Sequence, residues 1–336
     1  MNPGKPAHHR VCGPGSKGGI GAAGREEHVS EKHSFITIAA AGFAATVALH
    51  GARLCSLTHD GEDLIVDAVT RLGETVVSGA QPRPDLDRCE GQVLLPWPNR
   101  VRDGQFAFRD HEYRLPLNEA ELGNAIHGFV RDADWAVSQQ DGASVTLTLV
   151  TSQRPDWPGR FRARVTYALS ETGLTVTVSV ENVGEKAFPV GFGAHPYVTF
   201  NAPIDGARVS LRAGVMVETD ERNLPVRTAP VAGTKFDFSS GRTIGTLTVD
   251  NAFRLEPAGQ PWKVQVELDR AGDTARRTVW GSENLPWCQL FVPPARDALA
   301  VEPNSCAADA LNSPVTHADL VALEPNTDIT WQWGMY

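Results

Sequence analysis

Two neighbouring segments, FRARVTYALS (161–170) and GLTVTVSVENV (173–183), place an apolar residue at every second position with polar residues between. A period of two is the period of a pleated strand, whose successive side chains face opposite ways. It does not fit the 3.6-residue stripe of a helix. Val and Thr dominate both segments, as suits a half-buried antiparallel strand. The alternation returns in ASVTLTLVT (143–151) and KVQVELD (263–269), continues in TVWG (278–281), and ends in a closing strand at DITWQWGMY (328–336). QFAFRDHEYRLP (105–116) alternates and is cut by Asp110, which predicts a hairpin. The stretch from Phe35 through Val66 reads as strand, turn, strand, with a turn at Asp60-Gly61. No stretch of ten or more residues holds a capped helical stripe. Many short strands with Pro/Gly turns, no linker-like break and no internal repeat predict an all-β chain, a large antiparallel β-sandwich forming a single domain over residues 35–336. Residues 1–34, rich in Gly and charge, are expected to be a disordered low-complexity tail. They lack the apolar run of a secretory signal.

Composition removes several function classes. The net charge of −9 repels phosphate backbones, so nucleic acid is not an expected partner. No apolar run is long enough to cross a bilayer as a helix, so no membrane partner is expected either. Five cysteines, Cys12, Cys55, Cys89, Cys288 and Cys306, form no CxxC pair. They read as reduced thiols of a cytoplasmic protein, not as a disulfide frame or a zinc site.

In a large sandwich a site is assembled from side chains that separate strands contribute at loop ends. Five stretches carry polar residues at such places. In LLPWPNRVRDGQF (94–106) two prolines stiffen Trp97, Asn99 and Arg100. Arg100 offers a fixed fork of donors suited to hydroxyls or a carboxylate; the plain alternative is a surface arginine. In GNAIHGF (123–129) Gly128 allows close approach beside His127, which could equally be a satisfied core histidine. In GFGAHPYVTF (191–200) His195 sits between small residues and a stiff Pro196-Tyr197, and imidazole is the natural proton donor near neutral pH. In VDNAFRL (249–255) Asp250 is read as the end of the apolar strand TLTV, and could be a turn residue only. In LAVEPNSCAADALN (299–312) Glu302 is read as the end of an apolar run, fixed by Pro303. Desolvation there would raise its pKa and make it a competent base, though it too could be a turn residue.

The order of these motifs resembles the aldose 1-epimerase (galactose mutarotase) family. The pattern stands here as PNR (98–100), NAIHG (124–128), HPY (195–197), DNAF (250–253) and EP (302–303), and GFAATVALHGARLCSL and LEPNTDITWQW resemble the family's ends. The resemblance covers about residues 35 to 336. It implies a supersandwich fold and interconversion of the α and β anomers of a free aldose by acid/base ring opening. It implies Glu302 as general base, His195 as general acid, and His127 and Arg100 holding and polarising the sugar. Asp250 and Asn99 would bind hydroxyls, and Phe291, with Trp97, would stack on the ring. The expected partner is a monosaccharide, no cofactor or metal is required, and the chain would be a monomer or homodimer. HPYVTFN departs from the common H-P-Y-F-N-L, and Gly128-Phe129 from a pair of glycines; both changes bear on the preferred sugar. Two alternatives remain open at this stage. One is a hexose-6-phosphate 1-epimerase, whose phosphate clamp could draw on Arg102, Arg131 and Arg164. The other is a non-catalytic sugar-binding module. A glycoside hydrolase fits less well, since it needs two carboxyls flanking the scissile bond.

Overall fold

The computed structural model describes residues 35–68 and 89–336, so the expected tail lies outside the described residues. All ladders between strands are antiparallel, and three single turns of 3-10 helix, Val130–Asp132, Ile204–Gly206 and His317–Asp319, punctuate the described strands. The chain is a large antiparallel β-sandwich.

The larger sheet has nine strands. It is built around Phe161–Ser170 and Gly173–Asn182, which pair without interruption from Phe161 opposite Asn182 to Ser170 opposite Gly173. Ser144–Val150 flanks the first and Asp328–Met335 the second, and Trp262–Arg270 with Asp273–Gly281 extends the sheet. The alternation of the sequence is the alternation of burial: Val165, Val176, Val178 and Val180 are buried, while Arg164 and Thr177 face outward. Each buried valine stabilises the fold by about 1.5–3 kcal/mol. The hairpin expected at Asp110 is present as Gln105–Phe108 and His111–Arg114.

The second sheet has eight strands, among them Asp250–Leu255, Trp287–Phe291, Leu299–Asn304, Gly193–Ala194 and Val93–Leu94. It is less regular, with two-residue strands and register shifts where Ala213–Thr219 pairs its neighbours. One hydrophobic cluster joins both sheets, with Val165 and Val178 from the larger and Phe253, Leu290 and Val301 from the smaller. A four-stranded sheet over Phe35–Ala40, Phe43–Ala48, Leu54–His59 and Glu62–Asp63 packs its buried face into the same cluster.

Two details differ from the sequence reading. Asp250 opens a strand and does not close one: TLTV (246–249) is irregular, and the ladder starts with Asp250 opposite Phe291. Glu302 lies inside Leu299–Asn304, which runs on past Pro303. The proline is tolerated because its missing N–H falls between those of Val301 and Ser305, which bond to the carbonyls of Pro196 and Phe192. There the partner segment is already divided into Gly193–Ala194 and Tyr197–Val198, so no ladder bond is lost.

Candidate active site

The division of that partner segment sets His195 against Glu302. Gly193 pairs with Asn304 on one side and Leu94 on the other, and Tyr197 pairs with Ala300. A Cβ at Gly193 would overlap the side-chain oxygen of Asn304, so only glycine permits this approach of the two strands. The backbone of His195 is pinned to Gly91 and Gln92 through its carbonyl and amide. Its ring stacks on Tyr197 at 5.0 Å, and its Nε2 lies 3.3 Å from Glu302 Oε1. Both side chains are buried, with residue exposures of 5% and 2%.

His127 approaches from another element. Arg100–Arg102 and Asn124–Ile126 form a short ladder that places the PNR and NAIHG stretches side by side. The amide of His127 donates to the Asn99 carbonyl at 3.0 Å, and the amide of Asn99 donates to His127 Nδ1 at 3.2 Å. Nδ1 therefore accepts, and the neutral ring carries its proton on Nε2. Burial holds its pKa well below the usual histidine value, helped by His195, Arg131 and Arg100. Asn99 (φ 56°) and His127 (φ 64°) adopt the left-handed backbone that non-glycine residues avoid, as do Cys89 and Asn223 beside them. Such strain clusters where surrounding structure imposes a functional geometry. Gly128 must be glycine, because a Cβ there would overlap the Leu95 carbonyl.

Arg100 is clamped edgewise by Glu119. Its Nε donates to both carboxylate oxygens at 3.1 and 2.9 Å, and its Nη2 to Oε1 at 2.8 Å. Across the site Asp250 Oδ1 accepts a 2.6 Å bond from Gln289 Nε2. Burial raises the Asp250 pKa, with Arg100 and Gln289 opposing it. Burial also raises Glu302 well above the usual carboxylate range, and the nearby Asp250 carboxylate adds to this, against Asn304 and Arg100. Glu302 is thus as desolvated as its apolar neighbours in the sequence suggested.

Asn99, Arg100, His127, His195, Asp250, Phe291 and Glu302 all line one cavity of about 670 Å³, a volume ordinary for a small-molecule site. Trp97 does not join them, which corrects its expected stacking role. Its indole packs on Trp157 at 5.2 Å and lines a separate depression. Among the described residues lining the cavity there is no second guanidinium. Arg102 pairs with Asp309, Arg164 with Glu181, and Arg131 donates to the Cys89 sulfur. Sequence reasoning did not reach Glu119 or Asn223. Asn304 and Tyr197 stand within LAVEPNSCAADALN and HPY and could have been drawn from them, whereas nothing around Glu119 in the sequence marks it.

The family model described as aldose 1-epimerase matches residues 34–335. YihR, an uncharacterized protein of Escherichia coli strain K12, is 31% identical over 293 residues, covering 86% of this chain and 88% of its own. A maltose epimerase of Levilactobacillus brevis is 28% identical over 187 residues, covering 50% of this chain and 54% of its own. Among solved structures, a galactose mutarotase-like protein of Clostridium acetobutylicum superposes with a TM-score of 0.73 at 21% identity, covering 92% of this chain and 96% of that one. That likeness is of fold. With the family model spanning nearly all of the described chain, this protein belongs to the aldose 1-epimerase family.

Proposed function

We propose that the protein is a mutarotase that interconverts the anomers of a free aldose such as glucose or galactose. The observation that carries this is the 3.3 Å approach of His195 Nε2 to Glu302 Oε1 inside the cavity. Ring opening needs a base at the C1 hydroxyl and an acid at the ring oxygen. Both oxygens are bonded to the same carbon, so the two groups must stand within a few ångströms of each other. Glu302 takes the hydroxyl proton while protonated His195 delivers one to the ring oxygen, and the C1–O5 bond breaks to give the open aldehyde. Rotation about C1–C2 presents the other carbonyl face. The same two protons then return as the ring closes.

The other residues hold the sugar. His127 is kept neutral by burial and offers Nε2–H to a sugar oxygen. Arg100, Asn99 and Asp250 are placed for hydroxyls, and Phe291, packed edge-on to Tyr197, offers an apolar face to the ring. A phosphorylated sugar would meet two carboxylates, Asp250 and Glu302, and a single guanidinium already shared with Glu119. This favours the free aldose over a hexose 6-phosphate. Residues 35–336 are taken to act as one domain. Cys55, Cys288 and Cys306 are buried thiols, which fits a cytoplasmic setting, and no helix of the described residues is long and apolar enough to cross a membrane.

The test is polarimetry of freshly dissolved α-D-glucose and α-D-galactose at neutral pH. Faster mutarotation than in buffer, lost in Glu302→Gln, supports the reading. Acceleration only with glucose 6-phosphate would replace the free aldose. Binding of sugars with no acceleration would make the chain a sugar-binding module.

A further inference from the structure

Behind the cavity wall Glu119 is the centre of a polar network. Arg100 reaches it through three contacts of 2.8–3.1 Å, and Asn124 Nδ2 donates to its Oε2 at 2.9 Å. Asn124 is fully buried, and its side-chain oxygen accepts from Arg222 Nη2, which also bonds Asp103. Glu119 itself does not line the cavity. Of the five guanidinium N–H bonds of Arg100, Glu119 takes one on Nε and one on Nη2, and Asn99 Oδ1 accepts one from Nη1 at 3.3 Å. Two remain for a ligand, in an orientation the clamp fixes.

We propose that Glu119 is a positioning residue of the epimerase reaction, which both aims the Arg100 guanidinium at the sugar and cancels its charge at the catalytic carboxylates. The inference rests on the mutarotase reading above. The groups facing Glu302 are His195, Asp250, Arg100, His127 and the buried Cys288 thiol, with Asn304 bonded to it. Those facing Glu119 are Arg100, the Asn124 amide held by Arg222, which is itself paired with Asp103, and, across the cavity wall, Asp250. Arg100 pulls the affinity of both Asp250 and Glu302 for protons down, and Glu119 pushes that of Asp250 back up. An uncancelled Arg100 would leave Glu302 ionised at lower pH and weaker as a base. Charge balance and aim are separable functions of one side chain.

Two substitutions separate them, read by the pH dependence of kcat/KM and by the KM for the aldose that the wild type turns over fastest. Glu119→Gln removes the charge. Its acid limb should move to lower pH by roughly 0.5–1 unit, with kcat reduced. Glu119→Asp keeps the charge but withdraws it from the fork. Its acid limb should stay where the wild type has it, while KM rises roughly tenfold to a hundredfold. A merely structural role would lower the melting temperature and leave both the limb and KM unmoved. An acid limb of Glu119→Gln that coincides with the wild type's overturns the charge role, and an unchanged KM of Glu119→Asp overturns the aiming role. If Glu119→Gln does not fold, the KM of Glu119→Asp decides alone. A wild type inactive on every aldose defeats the mutarotase reading instead of this one.

Discussion

The two large sheets solve different problems with the same strands. In the nine-stranded sheet, ladders such as Phe161–Ser170 with Gly173–Asn182 run unbroken, and burial alternates with the sequence. In the eight-stranded sheet, strands are short, the register shifts, and buried polar residues line one face while Leu290 and Val301 keep the other in the core. Gln289, Glu302 and Asn304 are all buried on adjacent strands. The first sheet is built for stability, since each inward residue removes apolar surface from water. The second carries desolvated carboxylates, and the left-handed Asn99 and His127 join them from segments outside its strands. A substitution should therefore affect rate in one sheet and folding in the other.

The largest effects should separate the sheets most sharply. Glu302→Gln and His195→Asn are expected to lower kcat by about 10²–10⁴-fold with the fold intact, as progress curves and circular dichroism can show. Stability should move the other way in Glu302→Gln. A carboxyl with a raised folded pKa contributes stability that is present below its unfolded value, near 4.5, and is lost as pH rises through the folded value. Glutamine has no such loss, so the melting temperature of the variant relative to wild type should climb as pH rises above about 4.5. A falling difference would contradict the burial of a titrating Glu302.

Leu147→Ala tests the other sheet. Leu147 is fully buried in Ser144–Val150, and its truncation should cost about 2–5 kcal/mol in denaturant unfolding while activity per folded molecule stays near wild type. Loss of rate without loss of stability there would break the distinction. Gly193→Ala lies at the seam: the new methyl must displace Asn304, which bonds Glu302, so activity should fall by roughly tenfold or more with a smaller change in melting temperature. The smallest effect concerns His127. Its folded pKa is depressed, so its contribution is present above about 6.5 and lost as pH falls below that value. The unfolding free energy of wild type minus that of His127→Gln should shrink in acid, and a difference flat with pH would show that His127 titrates normally.

The legibility of the sequence follows the same division. The strands at 161–170 and 173–183 could be read to within a residue, because alternation is the direct record of a half-buried strand. His127, His195 and Glu302 were visible because glycine or proline beside each marks an unusual backbone. Asp250 and Glu302 were placed at strand ends, though one begins a strand and the other sits within one. Two-residue ladders and a proline inside a strand leave no periodicity to read. Trp97 adjoins PNR, yet it lines a different depression from Asn99 and Arg100, which adjacency in sequence does not reveal. Glu119 meets Arg100 only through the fold, from a loop with no motif of its own.

The most direct test of the account is polarimetric mutarotation of α-D-glucose and α-D-galactose by wild type and Glu302→Gln, at matched folded concentration. The account predicts acceleration by the wild type on at least one of the two sugars and its loss by about 10²–10⁴-fold in the variant. Full activity in Glu302→Gln would contradict the pairing of Glu302 with His195 as base and acid.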